Sequence, residues 1–314
     1  MLSFDSLSLK LLPLFILIAI GFLFVKLLKE DFGSISKLLF YIVSPIVIFD
    51  AGLKTDISPS LLISPLILCL SASLVCLASL KIGACLPRSE DRALLSYCAG
   101  ASNTGYFGLP LIGAILGESA FRSAVVVGMG MILFEFTLGF YQAARGRHSV
   151  WYSLAKLMKA PHLYAFGIGL ICNQIGLADS SIINDSSAYF RGAYTLLGMM
   201  IIGMGLSSIK VSSIDYKFIT LNLFCKSILF PASCFLCLYL VHILGIKLNP
   251  LELQILFLLS LTPTAANSVV FAKELGLDAS KAVIAVLTST LLALVALPLF
   301  ALKLNVIIAG FQKW

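Results

Sequence analysis

Two short polar stretches lie where polar residues are costly. Ser102, Asn103, Thr104 and Gly105 interrupt an apolar run over residues 93–116, and "TPTAANS", residues 262–268, interrupts another over 251–272. Each run is long enough to cross a hydrocarbon core of roughly 30 Å, so each interruption falls near mid-depth. Proline removes a backbone donor and glycine weakens a helix, so "SNTGYFGLP" and "TPTAANS" should both break their helices. Broken backbone facing lipid is prohibitively costly, and the breaks must be buried in protein or line a cavity. Pro110 suits the first turn of a new half-helix, and Thr262-Pro263 reads as an N-cap followed by proline at the first helical position. Two half-helix N-termini then point partial positive charge at one place, which suits an anion. Asn103, Thr104, Gly105, Pro110, Pro263, Asn267 and Ser268 form the candidate site, their donors and acceptors fitting a carboxylate better than a bare metal ion.

Two ionisable residues accompany them. Glu135 and Lys226 each lie eight or nine residues from the end of an apolar run, and at 1.5 Å per residue both are roughly 12–14 Å deep. An unpaired charge at that depth is expensive. Two readings stand: an ion pair between the two runs, or proton exchange by Glu135 during transport. Asp50, near the outer end of its run, is expected to reach water.

The elements that must position these residues are transmembrane helices. The chain has 314 residues, 60% of them hydrophobic and 12% charged, with a mean hydropathy of +1.03. Soluble domains do not have this composition. Ten apolar spans are read at 7–28, 33–53, 61–80, 93–116, 120–143, 162–177, 188–206, 218–244, 251–272 and 282–302. The first has too long an apolar core for a signal peptide and no small-x-small cleavage site, and is expected to stay as a helix. Most of the eight cysteines fall inside spans and read as small buried hydrophobes, Cys234 and Cys237 included. No metal site or cofactor is expected.

Orientation follows from the basic residues. Of 22, 14 flank one side, 7 the other, and Lys226 lies within a span. By the positive-inside rule the richer side is cytoplasmic, which puts both termini outside a plasma (inner) membrane and leaves the net charge of +7 no need of nucleic acid. The connector at 144–161 divides the chain into a first five-helix repeat, 1–143, and a second, 162–314. Five is odd, so similar halves must be inverted. Spans 4 and 9 hold the same ordinal place in each half, and both are broken. The fold class expected is an all-α polytopic membrane protein of ten helices in two inverted repeats, with helices 4 and 9 crossing. The "GMG" triplets at 128–130 and 203–205 are read as close helix packing rather than phosphate loops. The sequence holds no HExxH or GxSxG motif, so an enzyme is not expected.

The motifs themselves resemble a known family. "NTGYFGLP" looks like the Asn-Thr-x-x-x-Gly-x-Pro of the auxin efflux carrier family, carried by Asn103, Thr104, Gly108 and Pro110. Pro263 followed by Phe271 to Glu274, and Pro45 with Phe49 in span 2, are similar to further motifs of that family. The resemblance covers essentially the whole chain. It implies a fold like the sodium-proton antiporters and bile-acid symporters, a scaffold of spans 1, 2, 6 and 7, a transport domain of spans 3–5 and 8–10, an elevator-type movement, and a homodimer. Ser268 stands where plant members carry a second proline, Asn267 has no polar counterpart in them, and the connector is far shorter than the plant loop. The function expected is secondary transport of a small organic anion, a carboxylate or dicarboxylate, with coupling to protons, to sodium or to neither. The alternatives are a cation/proton antiporter of related fold and a membrane receptor or scaffold without transport.

Overall fold

The computed structural model describes residues 4–28, 33–54, 58–144, 161–207 and 215–302. Nearly all of the expected connector, and eight of the basic residues used for orientation (Lys29, Arg145, Arg147, Lys156, Lys159, Lys210, Lys303 and Lys313), lie outside the described residues.

Every regular element among the described residues is helical. They are α1 (Phe4–Leu28), α2 (Gly33–Lys54), α3 (Pro59–Ile82), α4 (Ser89–Gly100), α5 (Thr104–Leu116), α6 (Glu118–Ala144), α7 (Pro161–Gln174), α8 (Ser181–Ser207), α9 (Tyr216–Ile243), α10 (Pro250–Ser260), α11 (Asn267–Glu274) and α12 (Ala279–Leu302). Six of these, α1, α2, α3, α6, α9 and α12, are long and apolar enough to cross a membrane, with α5 and α10 as shorter apolar helices. Leu62, Leu66, Leu70, Leu74 and Leu77 form an exposed stripe down one face of α3. Such a stripe in water would be a large exposed apolar patch; against lipid tails it needs no partner.

Prolines leave a visible imprint on the helices. Wide, π-helical turns occupy Leu39–Val43, Thr104–Gly108 and Cys225–Leu229, each ending two residues before a proline: Pro45, Pro110 and Pro231. A proline has no N–H for the carbonyl four residues back and its ring clashes there, and widening the turn relieves both. A fourth such turn, Glu135–Gly139, has no proline after it. The structure gives no local reason for it.

The helices pack in two groups. α1 runs along α8, and α2 lies against α7 and α8. In the second group α3 packs on α4, α6 and α9, α10 on α6, and α9 on α12. One glycine of each "GMG" triplet lies in these contacts. A Cβ on Gly203 would stand 1.8 Å from the Ile18 carbonyl oxygen of α1, and one on Gly130 would stand 2.0 Å from that of Pro65 in α3. Backbones this close exclude any side chain. Gly203→Ala is therefore expected to lower stability by about 1–3 kcal/mol. Gly205→Ala, with nothing within 4 Å of its added carbon, is the matched control and should be neutral or better in thermal unfolding.

At one end of the second group Asp215 caps α9, accepting from the Phe218 N–H at 3.0 Å, and shares Lys281 with Asp91 at 2.7 and 2.8 Å. The hydrogen bond from Lys281 holds the Asp215 carboxyl below the ordinary carboxylate range, aided by the capping contact and the nearby charge. Its contribution to stability is present above the ordinary pKa and is lost as pH falls through the lower folded value.

Candidate functional site at the paired helix breaks

The two polar interruptions meet. Ser102 and Thr264 form an antiparallel bridge; the Asn103 N–H donates to the Pro263 carbonyl at 2.8 Å and the Ala265 N–H to the Ala101 carbonyl at 3.1 Å. Backbone groups freed by one break are thus satisfied by the other, the requirement for broken helices in a non-aqueous interior. Neighbouring helices fasten the junction. Asn222 of α9 donates to Thr264 Oγ1 at 3.2 Å, and Ser289 Oγ of α12 accepts from the Thr264 N–H at 3.0 Å.

Against this junction lies a cavity with about 790 Å³ of empty space, part of it open to solvent. Its walls come from both helical groups. Asn103, Thr104, Gly105 and Asn267 line it, with Glu135 of α6 beside them; Ser44 of α2, His162 of α7 and Tyr194 of α8 face them from the other group. Asn103 Nδ2 is buried with no hydrogen-bond partner among the described residues. A buried amide left unpaired is costly unless something else occupies it. Asn267 Nδ2 donates to Glu135 Oε2 at 3.3 Å.

The remaining candidates take other positions. Pro110 lies in the first turn of the regular part of α5, and Pro263 contributes its carbonyl to Asn103; neither lines the cavity. Ser268 is buried on the far side of α11, next to Cys98. Thr262 does not cap a helix beginning at Pro263. Its hydroxyl closes α10 by donating to the Leu259 carbonyl at 2.7 Å, and α11 begins at Asn267. Residues 263–265 are extended because they pair with 101–103, which no local signal reveals.

Glu135 and Lys226 do not form a direct ion pair. Lys226 Nζ donates to the Ala101 carbonyl at 3.1 Å and to Ser102 Oγ, behind the junction, while Glu135 stays on the cavity side with Asn267. The carbonyl exposed by the helix break outcompetes the distant carboxylate for the ammonium.

Asp50 does not reach water. It is fully buried, paired with Lys54 one turn on, with Arg191 of α8 at 2.6 Å and with Arg122 of α6 at 3.5 Å; Arg191 also reaches Glu118 at 2.7 Å. The cluster joins α2 and α8 to α6. Its sequence signal was the Asp50–Lys54 spacing of four, one helical turn. A polar wall of the cavity that was also missed is His162, whose Nε2 lies 3.1 Å from Ser44 Oγ and whose ring meets Phe40 with centroids 4.6 Å apart. A lone histidine next to Pro161 carries no motif that would mark it.

The membrane transport protein family model matches residues 6–149 and 144–301, nearly the whole chain. The chain belongs to the auxin efflux carrier family. It is 25% identical over 299 residues to an uncharacterized transporter of Methanocaldococcus jannaschii, covering 91% of this chain and 94% of that one. A second uncharacterized transporter, from Methanothermobacter thermautotrophicus, is 25% identical over 309 residues, covering 93% and 97%. Together with the apolar helices, family membership makes this carrier an integral, multi-pass membrane protein. The motif residues acquire physical roles: Asn103 and Gly108 pair by backbone, with Gly108 N–H donating to the Asn103 carbonyl at 3.0 Å, and Phe271 packs its ring against Tyr97, Phe136 and Phe140.

Proposed function

We propose that this carrier moves a small organic anion, a carboxylate or dicarboxylate, across the plasma membrane by alternating exposure of the junction between the two helix breaks. The observation that carries this reading is the convergence of Asn103 and Asn267, from two separate broken helices, on one cavity between two helical groups. Asn103 Nδ2 supplies an unused buried donor, and the N-terminal ends of α5 and α11 add partial positive charge.

In this reading the ten spans form two inverted repeats with both termini outside. α1, α2, α7 and α8 are the scaffold; the remaining helices are the transport domain, which moves against it as an elevator in a homodimer. The division follows the helix packing, and the cavity lies along its seam.

Glu135 has a defined part. A carboxylate beside an anion site repels the substrate when ionised and donates a hydrogen bond to it when protonated. Binding of the anion therefore brings a proton with it. Glu135→Gln is expected to retain anion uptake while losing its dependence on pH. The check is uptake of labelled carboxylates into proteoliposomes across a pH series, and an unchanged pH profile would remove Glu135 from coupling.

Glu135 is also what favours a second reading, cation–proton antiport, since a carboxylate at the crossing is what a transported cation needs. The same variant separates the two. Antiport predicts complete loss in Glu135→Gln and cation-driven proton release with no carboxylate present. Proteoliposome uptake of a carboxylate panel without any such cation-driven pH change supports anion transport.

A further inference from the structure

Among the described residues, Lys226 is a deeply buried cation that the substrate site leaves unused. Its side chain is 2% exposed and is absent from the cavity wall. It reaches the junction from behind, from the wide turn of α9 that precedes Pro231. There its ammonium donates to the Ala101 carbonyl at 3.1 Å and to the Ser102 hydroxyl, and lies 4.0 Å from the centre of the Phe230 ring.

The ligands are the notable part. A carbonyl released where α4 ends, a hydroxyl on the next residue and an aromatic face are acceptors for a small monovalent cation. In transporters built on broken helices, unwound backbone carbonyls are what hold the coupling sodium ion. Here the carbonyl and the hydroxyl are taken by a covalently attached ammonium. Asn222, one turn earlier on α9, holds Thr264 of the opposite segment, so a single helix face grips both halves of the junction.

We propose that Lys226 is a tethered cation: its ammonium occupies the place at the junction that a sodium ion would take, and the carrier binds and moves its substrate without sodium. The positive charge behind the junction also favours an anion in front of it. Because the amine is covalently attached, it stays with the junction as the carrier changes conformation, where a free ion could leave. This inference rests on the junction being the transport site.

The test is thermal unfolding of the purified carrier in sodium, lithium, methylammonium or choline chloride at constant ionic strength, for wild type and Lys226→Ala. The wild type is expected to unfold at the same temperature in sodium and in choline. Lys226→Ala should unfold several degrees lower and recover saturably in sodium, lithium or methylammonium, but not in choline. A saturable, sodium-specific stabilisation of the wild type overturns the proposal. So does a folded Lys226→Ala protein that responds to none of the small cations, which leaves the lysine a purely structural hydrogen-bond donor. Should the alanine variant not fold, Lys226→Met keeps the volume and the Phe230 contact without the charge and is carried through the same series. These outcomes are separable from the substrate reading: a protein that binds carboxylates and also needs sodium refutes the tether and leaves the anion carrier standing.

Discussion

Asn103→Ala is expected to abolish substrate flux while leaving the carrier folded. The two halves of that result come from different atoms of one residue. What Asn103 contributes to the fold is backbone: its N–H donates to the Pro263 carbonyl at 2.8 Å and its carbonyl accepts from Gly108 at 3.0 Å. Alanine makes both bonds. What it contributes to the cavity is the side-chain amide, buried and without a partner among the described residues. A hydrogen bond to a charged group is worth about 1.5–3 kcal/mol, or roughly ten- to a hundred-fold in affinity. Flux should fall at least that far in proteoliposomes, with the unfolding temperature in the absence of substrate unchanged. Normal flux would count heavily against the site, and a membrane receptor or scaffold, indifferent to this amide, would gain by it.

Asp50→Asn should act in the opposite way, through stability. The substitution keeps the shape and removes the anion that Lys54, Arg191 and Arg122 share. Arg191 retains Glu118 at 2.7 Å, but Lys54 loses its carboxylate partner in surroundings that admit little water. Leaving buried charges uncompensated costs about 3–5 kcal/mol, far more than loss of an exposed pair. The variant should be poorly recovered or unfold markedly lower, and Asp50→Glu should restore part of the loss. A wild-type unfolding temperature in Asp50→Asn would show that water reaches these cations after all. Because the cluster ties α2 and α8 to α6, a weakened but folded variant should also alter transport rate more than substrate affinity.

How far the chain disclosed this arrangement depended on whether each signal was local. The breaks were legible because "SNTGYFGLP" and "TPTAANS" are polar, proline-bearing insertions in apolar runs, and their effect on a helix is decided within a few residues. That Asn103 and Asn267 would share a cavity followed from their matching place in the two halves. The start of α11 was misplaced by four residues, because residues 263–265 are drawn out by pairing with a segment some 160 positions earlier, and pairing has no local signature. Asp50 was read as wet for a related reason. Its depth along α2 shows in the sequence, but the arginines that α6 and α8 bring to it do not. The same holds for Glu135 and Lys226: their burial was legible and their partners were not, since the winning acceptor for Lys226 was a backbone carbonyl, invisible in any list of side chains.

Equilibrium binding tests the central claim most directly. Purified wild-type carrier, Asn103→Ala and Asn267→Ala are titrated with a panel of small mono- and dicarboxylates, and binding is read from the shift in unfolding temperature. At least one carboxylate is predicted to stabilise the wild type saturably, with the shift lost in Asn103→Ala and reduced in Asn267→Ala. Binding of a carboxylate that survives both substitutions undiminished, or a wild type indifferent to the whole panel, would contradict the site at the paired helix breaks.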